Sequence, residues 1–286
     1  MKTKTFVDEL RDARNGGYAV GAFNIFNHLS ARAVVRAAEK LGSRVILQTS
    51  VQTVNAFGPI ELGAMLRQLA WSASVNVLVH LDHCRSVDLA KACIDAGWDS
   101  VMFDGSHLSL EDNVRLSREV VAYAHARNVS VEGELGKIGG VEDDIAVDES
   151  DAARVGLDES LRYIEESGVD ALAPAIGTAH GVYKGKPKIN FSLLRELKTA
   201  TMTPIVIHGG TGLGDDVFGR LVEAGGTKIN VSTAIKHAYL GGATEYFERN
   251  PGKTDPVGFD LFLDERIGEV AGRHLRVFRG EEAGFE

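Results

Sequence analysis

The chain has 286 residues, of which 44% are hydrophobic, 25% are charged and 6 are proline, a composition typical of globular proteins and unlike that of disordered or fibrous chains. Its 40 acidic and 31 basic residues give a formal charge of −9, which argues against a non-specific nucleic-acid binder and against a binder of anionic membranes. Local basic groups can still hold a phosphate.

No segment resembles a targeting or membrane-spanning sequence. No stretch approaches the ~20 apolar residues that cross a bilayer, and the start, MKTKTFVDELRDARNG, carries acids where a signal peptide has its apolar run. The two cysteines, Cys84 and Cys93, are too few for a disulfide framework, so we expect free thiols in a reducing compartment. The sequence therefore predicts a cytoplasmic protein.

One pattern repeats along the chain: an apolar, β-branched run ending in small or polar residues, followed by a longer segment with helical spacing. In chain order the strand-like runs are 18–25, 44–50, 76–83, 100–106, 129–136, 171–177, 204–210 and 227–233. Eight such pairs without a GxGxxG turn after the first strand favour an α/β fold of the (β/α)8 TIM-barrel type. We expect a barrel over about 5–250, a helical tail over about 255–278, and a single domain over 1–286.

In a TIM barrel the strands end at the face that carries the active site, so polar residues at the predicted strand ends are the candidates. They are Asn24, Gln48, Ser50, Asp82, His83, Asp104, His107, Glu132, Glu134, Thr178, His180, His208, Gly209, Gly210, Asn230, Ser232 and Thr233.

Three of these residues, His83, His180 and His208, follow separate strands that converge on one mouth. Three imidazoles with an open position are typical of a catalytic divalent-metal site. Taken singly, each histidine is more often a structural, hydrogen-bonded residue, and we interpret His107 in that way. Cys84 is adjacent to His83 in the sequence, and adjacent residues rarely point to one ion, so we assign Cys84 to packing.

Two loops have the composition of a phosphate site. Gly209-Gly210-Thr211-Gly212 follows the seventh predicted strand and Asn230-Val231-Ser232-Thr233 follows the eighth, the two positions where barrels most often bind phosphate through backbone amides and hydroxyls. The alternative is that these glycines serve ordinary tight connections.

The segment after the fifth strand, 133–156, is longer than most loops of compact domains. Its glycines suggest hinges, and its acids at 142–144 suggest a lid that brings a carboxylate over a bound substrate. A solvated acidic loop is the alternative interpretation.

Five motifs together carry a family resemblance: HLDH (80–83), VEGELGKIGGVEDD (131–144), AIGTAHGVYKG (175–185), IHGGTGL (207–213) and KINVSTAIK (228–236). In this order they resemble the class II, metal-dependent ketose-bisphosphate aldolases over about residues 5–250. The stretch VEDDIAVDES is most similar to the tagatose-bisphosphate branch, whose relatives cleave fructose 1,6-bisphosphate or related ketose phosphates.

The resemblance implies roles for individual residues of the reaction. It implies Zn²⁺ on His83, His180 and His208, with Asp104 and Glu134 close behind the metal. It implies that Asp82 exchanges a proton with the C4 hydroxyl and that Glu142 exchanges one with C3. Asn230 would stabilise the enediolate that forms when the ketose splits into dihydroxyacetone phosphate and an aldehyde such as glyceraldehyde 3-phosphate. Such chemistry needs a Lewis acid and no Schiff-base lysine.

The resemblance also implies binding sites and assembly. A Na⁺ or K⁺ ion would bind the backbone carbonyls of Ala179, Gly181 and Gly209, and a homodimer or homotetramer is expected. Contacts with the substrate and its phosphate would come from Asn24, Ser50, Gly181, Lys184, Gly209, Gly210, Thr211, Asn230, Ser232 and Thr233.

The residue after the Asp-Pro that follows the eighth helix departs from the family pattern. Family members commonly carry an arginine after the Asp-Pro that follows the eighth helix, and it reaches the distal phosphate bound by a neighbouring subunit. Here Asp255-Pro256 is followed by Val257, with Arg266 or Arg273 as possible replacements. A ketose 1-phosphate, or a bisphosphate bound with weaker distal contacts, is therefore an alternative substrate.

Two other functions are weighed against the aldolase. A zinc-dependent hydrolase on the same barrel would use Asp82 as the base, but the first strand lacks a His-x-His pair. A non-catalytic regulatory or assembly subunit would be expected to have lost metal or acid positions, and all of these are present.

Overall fold

The structure is a computed structural model that describes residues 4–142, 145–147, 155–181 and 187–281, with the backbone alone at 141–142 and 145–147. The described strands are β1 (Val20–Asn24), β2 (Val45–Ser50), β3 (Val77–Cys84), β4 (Ser100–Phe103), β5 (Ser130–Leu135), β6 (Gly139–Glu142), β7 (Ile145–Val147), β8 (Ala171–Pro174), β9 (Ala179–His180), β10 (Ile205–Ile207) and β11 (Gly226–Val231). Eight of them close into a parallel barrel in the order β1-β11-β10-β8-β5-β4-β3-β2, and β7, β6 and β9 form a separate small sheet.

Helices alternate with the barrel strands. They are α1 (Phe6–Gly16), α2 (His28–Lys40), α3 (Val51–Phe57), α4 (Pro59–Ser72), α5 (Val87–Asp95), α6 (Leu110–His125), α7 (Leu157–Ser167), α8 (Phe191–Ala200), α9 (Asp215–Ala224), α10 (Thr233–Arg249) and α11 (Pro256–Phe278). The predicted TIM barrel is confirmed, since each predicted strand run contains one barrel strand and α11 lies where the helical tail was expected. The single domain over 1–286 stays a prediction.

Helix α1 was not predicted. The Thr5 hydroxyl accepts a hydrogen bond from the backbone N–H of Asp8, and the Asp8 carboxylate accepts one from the backbone N–H of Thr5, so the helix begins at a capping box. Its buried residues Phe6, Leu10 and Ala13 follow at helical spacing, which is the signal in the sequence that could have identified it.

Side chains of the barrel strands alternate between two separate apolar cores. Phe23, Leu47 and Val79 point outward and pack in the large core beneath the helices. Ala22 and Leu78 point inward and form the lower interior with Phe6, Leu10, Ala13, Val20, Ile46, Ala171, Ala173 and Val206. Helix α1 therefore closes the lower end of the barrel.

Helix α11 is held against α2 by a charge cluster. The carboxylate of Asp264 accepts a hydrogen bond from Nε of Arg32 at 3.1 Å and another from Arg36 at 2.8 Å.

Among the described helices, none combines the length and the apolar character that crossing a membrane requires.

Candidate metal centre and active site

Three histidines meet at the upper mouth of the barrel, as the sequence predicted. His83 lies in β3, His180 in the two-residue strand β9 (Ala179–His180), and His208 directly after β10. Their ring centroids are 4.6 to 5.8 Å apart, and one ligand nitrogen from each lies within 4.8 Å of the others. Three buried imidazoles at this spacing form a donor set that fits a divalent transition metal.

A distortion of β3 lets two consecutive residues face the mouth. In a regular strand Asp82 and His83 would point to opposite faces. The pairing of β3 with β4 shifts register between Leu81 and Cys84, and His83 has a φ of 46°, in the left-handed region that residues other than glycine seldom adopt. The bulge therefore brings the imidazole of His83 to the side of the barrel that Asp82 occupies. Backbone strain of this kind is concentrated at functional sites.

Two carboxylates lie behind His83, in the positions expected for them. Nδ1 of His83 is 3.5 Å from Oε2 of Glu134 and 3.8 Å from Oδ2 of Asp104. Oε2 of Glu134 is buried and meets no hydrogen-bond donor among the described residues, so a cation beside it would satisfy an otherwise uncompensated oxygen. His83, Asp104 and Glu134 also form a second group of close metal-ligating atoms.

The environments of these two carboxylates shift their pKa values in opposite directions. Burial opposes ionisation of Asp104, but hydrogen bonding and charge from His83, together with Arg85 at 3.0 Å, lower its pKa. Burial, followed by repulsion from Asp104, raises the pKa of Glu134. Asp104 therefore supplies the more persistent negative charge beside His83.

Asp82 is held by three side-chain amides. Its Oδ2 accepts hydrogen bonds from Nδ2 of Asn24 at 2.9 Å and from Nε2 of Gln48 at 3.1 Å, and its Oδ1 accepts one from Nδ2 of Asn230 at 3.2 Å. Asp82, Asn24 and Asn230 are each almost completely buried. A carboxylate oriented in this way is positioned to exchange a proton with a substrate hydroxyl.

The described part of the long segment after β5 contains two strands. Strand β6 (Gly139–Glu142) pairs with β7 (Ile145–Val147) and, on its other side, with β9, where Gly140 lies opposite His180. A Cβ atom on Gly140 would lie 2.2 Å from the carbonyl oxygen of His180, and φ at Gly140 is 101°, so only glycine permits this approach. The side chain of Glu142 and all of Lys184 lie outside the described residues.

The two expected phosphate loops are neighbours, because β10 and β11 pair in parallel with Ile207 opposite Ile229. Helix α10 begins after Ser232, whose hydroxyl does not cap the helix and, although buried, has no hydrogen-bond partner among the described residues. A hydroxyl and a helix N-terminus left available together favour an anion. The described residues expected to contact the phosphate are Gly181, Gly209, Gly210, Thr211, Ser232 and Thr233.

The backbone carbonyls expected to bind a monovalent cation come from adjoining segments. A Cβ atom on Gly209 would lie 2.4 Å from the carbonyl oxygen of Ala179, which shows how closely these two backbone segments approach each other. Gly181 follows His180 directly, with φ of 82°. The cation itself stays a prediction.

Ser50 ends β2 and lies opposite Asp82 in the pairing of β2 with β3. It caps α3 and lines a cavity of about 270 Å³ together with Asn24, Lys236 and Tyr239. Val257 is 67% exposed in the first turn of α11.

Both arginines considered as replacements for the family's arginine have carboxylate partners within this chain. Arg266 binds Glu245 at 2.9 Å and Glu269 at 3.1 Å, and Arg273 binds Asp215. Neither is therefore an uncommitted cation for a distal phosphate.

One of the strand-end candidates, Glu132, has a buried partner that the sequence prediction missed, Lys228. Glu132 and Lys228 are both 0% exposed, and Nζ of Lys228 lies 2.9 Å from Oε2 of Glu132. Although burial opposes it, the charge of Lys228 and the hydrogen bond from His208 lower the pKa of Glu132. The available signal was strand alternation, since Glu132 and Lys228 precede Glu134 and Asn230 by two residues and so share their face.

The remaining histidine and cysteine predictions concern packing. His107 is exposed and belongs to neither group of metal-ligating residues found in the described part of the chain. Cys84 and Cys93 are buried free thiols, and burial raises the pKa of Cys84 to about 11 and that of Cys93 to about 12.

The sequence and the fold are similar to those of known proteins over nearly the whole chain. The family model described as fructose-bisphosphate aldolase class-II matches residues 4–282. The YdjI aldolase of Escherichia coli K12 superposes with a TM-score of 0.84 at 28% identity, covering 95% of this chain and 96% of the other. A Coccidioides immitis protein assigned as a fructose-1,6-biphosphate aldolase has a TM-score of 0.88 at 25% identity, covering 99% and 98%.

A third solved structure shares the fold. Fructose-bisphosphate aldolase of Campylobacter jejuni has a TM-score of 0.80 at 22% identity, covering 97% of this chain and 95% of the other.

Proposed function

Because the chain belongs to the class-II fructose-bisphosphate aldolase family and is thus a carbon–carbon lyase, we propose that it reversibly cleaves a ketose 1,6-bisphosphate of the tagatose or fructose type. The products are dihydroxyacetone phosphate and an aldehyde such as glyceraldehyde 3-phosphate. The observation that carries this proposal is the cluster of His83, His180 and His208 at the mouth, beside the buried carboxylate of Asp82.

We infer that the metal is Zn²⁺, one per chain, held by the three histidines with Asp104 and Glu134 behind them. The family is generally metal-dependent, and an all-imidazole set at this spacing suits zinc. When bound, a divalent cation supplies Lewis-acid stabilisation of the negative charge that C–C cleavage leaves on a substrate oxygen.

Proton transfer is assigned to two carboxylates on different supports. Asp82, fixed by three amides, removes the proton from the C4 hydroxyl as the C3–C4 bond breaks. Glu142 is proposed to return a proton to C3 of the three-carbon product. Asn230, whose amide already donates to Asp82, supports the developing oxyanion.

The phosphate next to the ketone is proposed to bind at the loops after β10 and β11. Ser232 and the first turn of α10 supply a buried hydroxyl and backbone N–H groups. Gly209, Gly210, Thr211 and Thr233 surround them, with Gly181 and Lys184 from the segment after His180, and Asn24 and Ser50 contact the rest of the substrate. A Na⁺ or K⁺ ion at the carbonyls of Ala179, Gly181 and Gly209 would add positive charge there.

A ketose 1-phosphate is the second candidate substrate. Val257 offers no positive charge at the position where an arginine was expected, and Arg266 and Arg273 are ion-paired within the chain. Weaker contacts at the distal end would then lower the preference for a bisphosphate. The family match favours either aldolase over the zinc hydrolase considered from the sequence.

We further propose a homodimer or homotetramer in the cytoplasm. Four exposed apolar residues on the consecutive helices α10 and α11 favour an interface: Leu240, Phe247, Val257 and Leu261. Two buried free thiols agree with a reducing compartment. Light scattering after gel filtration measures the assembly, and a monomer at micromolar concentration would contradict it.

The deciding experiment is a cleavage assay on tagatose and fructose 1,6-bisphosphates and the matching 1-phosphates, with coupled detection of dihydroxyacetone phosphate. We expect release that a chelator abolishes and added Zn²⁺ restores. Absence of release from all four substrates by the zinc-loaded enzyme would overturn the proposal. A large preference for the bisphosphates would overturn the second candidate alone.

A further inference from the structure

An ion pair with no exposed surface lies inside the barrel, directly below the histidine cluster. Glu132 on β5 and Lys228 on β11 are separated by 96 residues in sequence and meet at 2.9 Å. We propose that Glu132, held by Lys228, is a positioning residue that fixes the ring and tautomer of His208, so that its Nδ1 faces the other two histidines. This inference rests on the proposed metal site and concerns residues to which the family resemblance gave no role.

The two oxygens of Glu132 have different partners. Oε1 lies 2.9 Å from Nε2 of His208, and Oε2 lies 2.9 Å from Nζ of Lys228. A carboxylate accepts hydrogen bonds and has none to donate, so this contact requires the proton on Nε2 of His208. Nδ2 of Asn230 also approaches Nε2, at the longer distance of 3.3 Å, but this amide has the carboxylate of Asp82 as its acceptor at 3.2 Å. A neutral imidazole with its proton on Nε2 presents the lone pair of Nδ1, which is the atom a metal requires.

The opposite nitrogen of the ring points to the metal-binding group. Nδ1 of His208 lies 2.9 Å from Nε2 of His83, and the two rings are almost perpendicular, at 87°. With its Nε2 held from below by Glu132, the imidazole of His208 cannot rotate or exchange tautomer without breaking a buried charge-assisted hydrogen bond. The donor set is therefore organised by the protein itself.

Lys228 keeps the carboxylate charged in this position. An unpaired carboxylate deep in a barrel would be very costly, whereas an adjacent ammonium offsets the cost. The other neighbour of Oε2 is Nε2 of His80 at 3.6 Å, and His80 is in turn bonded through Nδ1 to Ser100 at 2.8 Å. Phe6 stacks on His80 with ring centroids 5.2 Å apart, so an aromatic ring covers the lower side of His80.

The arrangement parallels that of His83, where Nδ1 faces Asp104 and Glu134. Glu132 differs because it approaches His208 from the side remote from the cluster and is neutralised by its own lysine. Its effect on metal binding must therefore pass through His208.

The test removes both charges together, because a single substitution would leave the other charge buried alone. In the double variant Glu132→Gln with Lys228→Met, the glutamine amide can either donate to His208 or accept from it, so it no longer selects a tautomer. We expect a folded protein whose Zn²⁺ affinity, measured by competition with a chromogenic chelator, is 10- to 100-fold weaker. Asp264→Asn, which disrupts the distant cluster between α2 and α11, is the matched control and should leave Zn²⁺ affinity unchanged.

A second measurement needs no variant in the ion pair. In the metal-free wild-type protein, ¹⁵N NMR of the histidine ring, assigned with a His208→Asn variant, should show the proton of His208 on Nε2. A proton on Nδ1, or unchanged Zn²⁺ affinity in the folded double variant, would overturn the positioning role. Failure of the wild-type protein to bind Zn²⁺ would instead overturn the proposed metal site, so the two failures are distinguishable.

Discussion

The lower and upper halves of the barrel interior are built from the same strands but have opposite chemistry. Along β3 the inward-facing residues change from Leu78 to His80 to Asp82. Along β11 Lys228 is followed by Asn230. The lower half is a dry apolar core closed by α1, whereas the upper half is a connected set of buried polar groups.

The difference shows how one strand serves two purposes. Apolar side chains at the lower end contribute burial that is nearly independent of geometry. Polar side chains at the upper end are tolerated only where each meets a partner, so their positions are restricted by direction as well as by volume. Substitutions below should therefore change stability, and substitutions above should change chemistry.

The largest expected effect is a loss of catalysis without a loss of metal binding, at Asp82. Asp82→Asn keeps the shape of the side chain but cannot take the hydroxyl proton, so kcat for cleavage should fall by about 10²- to 10⁴-fold. Bound zinc, measured by metal analysis, should stay near the wild-type content. Asp99→Asn is the control, since Asp99 accepts a backbone hydrogen bond from Val79 at 2.8 Å near the lower end. Near-normal turnover by Asp82→Asn would contradict the assigned role.

A large effect on stability is expected at the opposite end. Phe6→Ala removes a fully buried ring from the lower core, and the free energy of unfolding should fall by about 3–5 kcal/mol. Denaturant unfolding measures this loss, and kcat/KM of the folded variant should stay within about threefold of wild type. Met202→Ala, at a methionine that is 66% exposed, should cost less than about 0.5 kcal/mol. If Phe6→Ala abolished catalysis in a folded protein, the two halves would not be separable.

Two hydroxyls on the same side of the barrel sharpen the comparison. Ser232→Ala removes a buried hydroxyl at the upper end of β11, and losing a hydrogen bond to a charged phosphate should raise KM by about 10-fold with little change in kcat. Thr227→Ala is the counterpart at the lower end, where the hydroxyl donates to the carbonyl of Ile205 at 3.0 Å. It should lower stability by about 1 kcal/mol and leave KM unchanged. Equal KM values for Ser232→Ala and wild type would remove Ser232 from the phosphate site.

The smallest effect concerns a residue outside the barrel. Val257→Arg adds a guanidinium where an arginine was expected, and one additional phosphate contact of about 1.4 kcal/mol corresponds to about a 10-fold increase in preference for a bisphosphate over a 1-phosphate. Val257→Met, which adds length at the same position without a charge, is the control and should leave the ratio of kcat/KM values unchanged. An unchanged ratio in Val257→Arg would place substrate selection entirely within the barrel.

Much of the site was predictable because strand alternation and strand ends are local properties of a sequence. The positions of Asp82, His208 and Asn230 follow from the rule that the residues after parallel strands meet at one face. The five motifs added the family, and with it the proposed roles of these residues. The capping box at the start of α1 is also a local signal, because Thr5 and Asp8 are three residues apart.

By itself, the sequence determined the eight-stranded barrel, its helical tail and the polar composition of its mouth, because these depend on periodicity over a few residues. Only the tertiary structure decided that His83 joins Asp82 through a bulge, since a regular strand would separate them. It alone decided that Lys228 meets Glu132 and that Phe6 closes the barrel beneath His80. These contacts join residues distant in the chain, whose directions depend on how the whole barrel closes and on no local pattern.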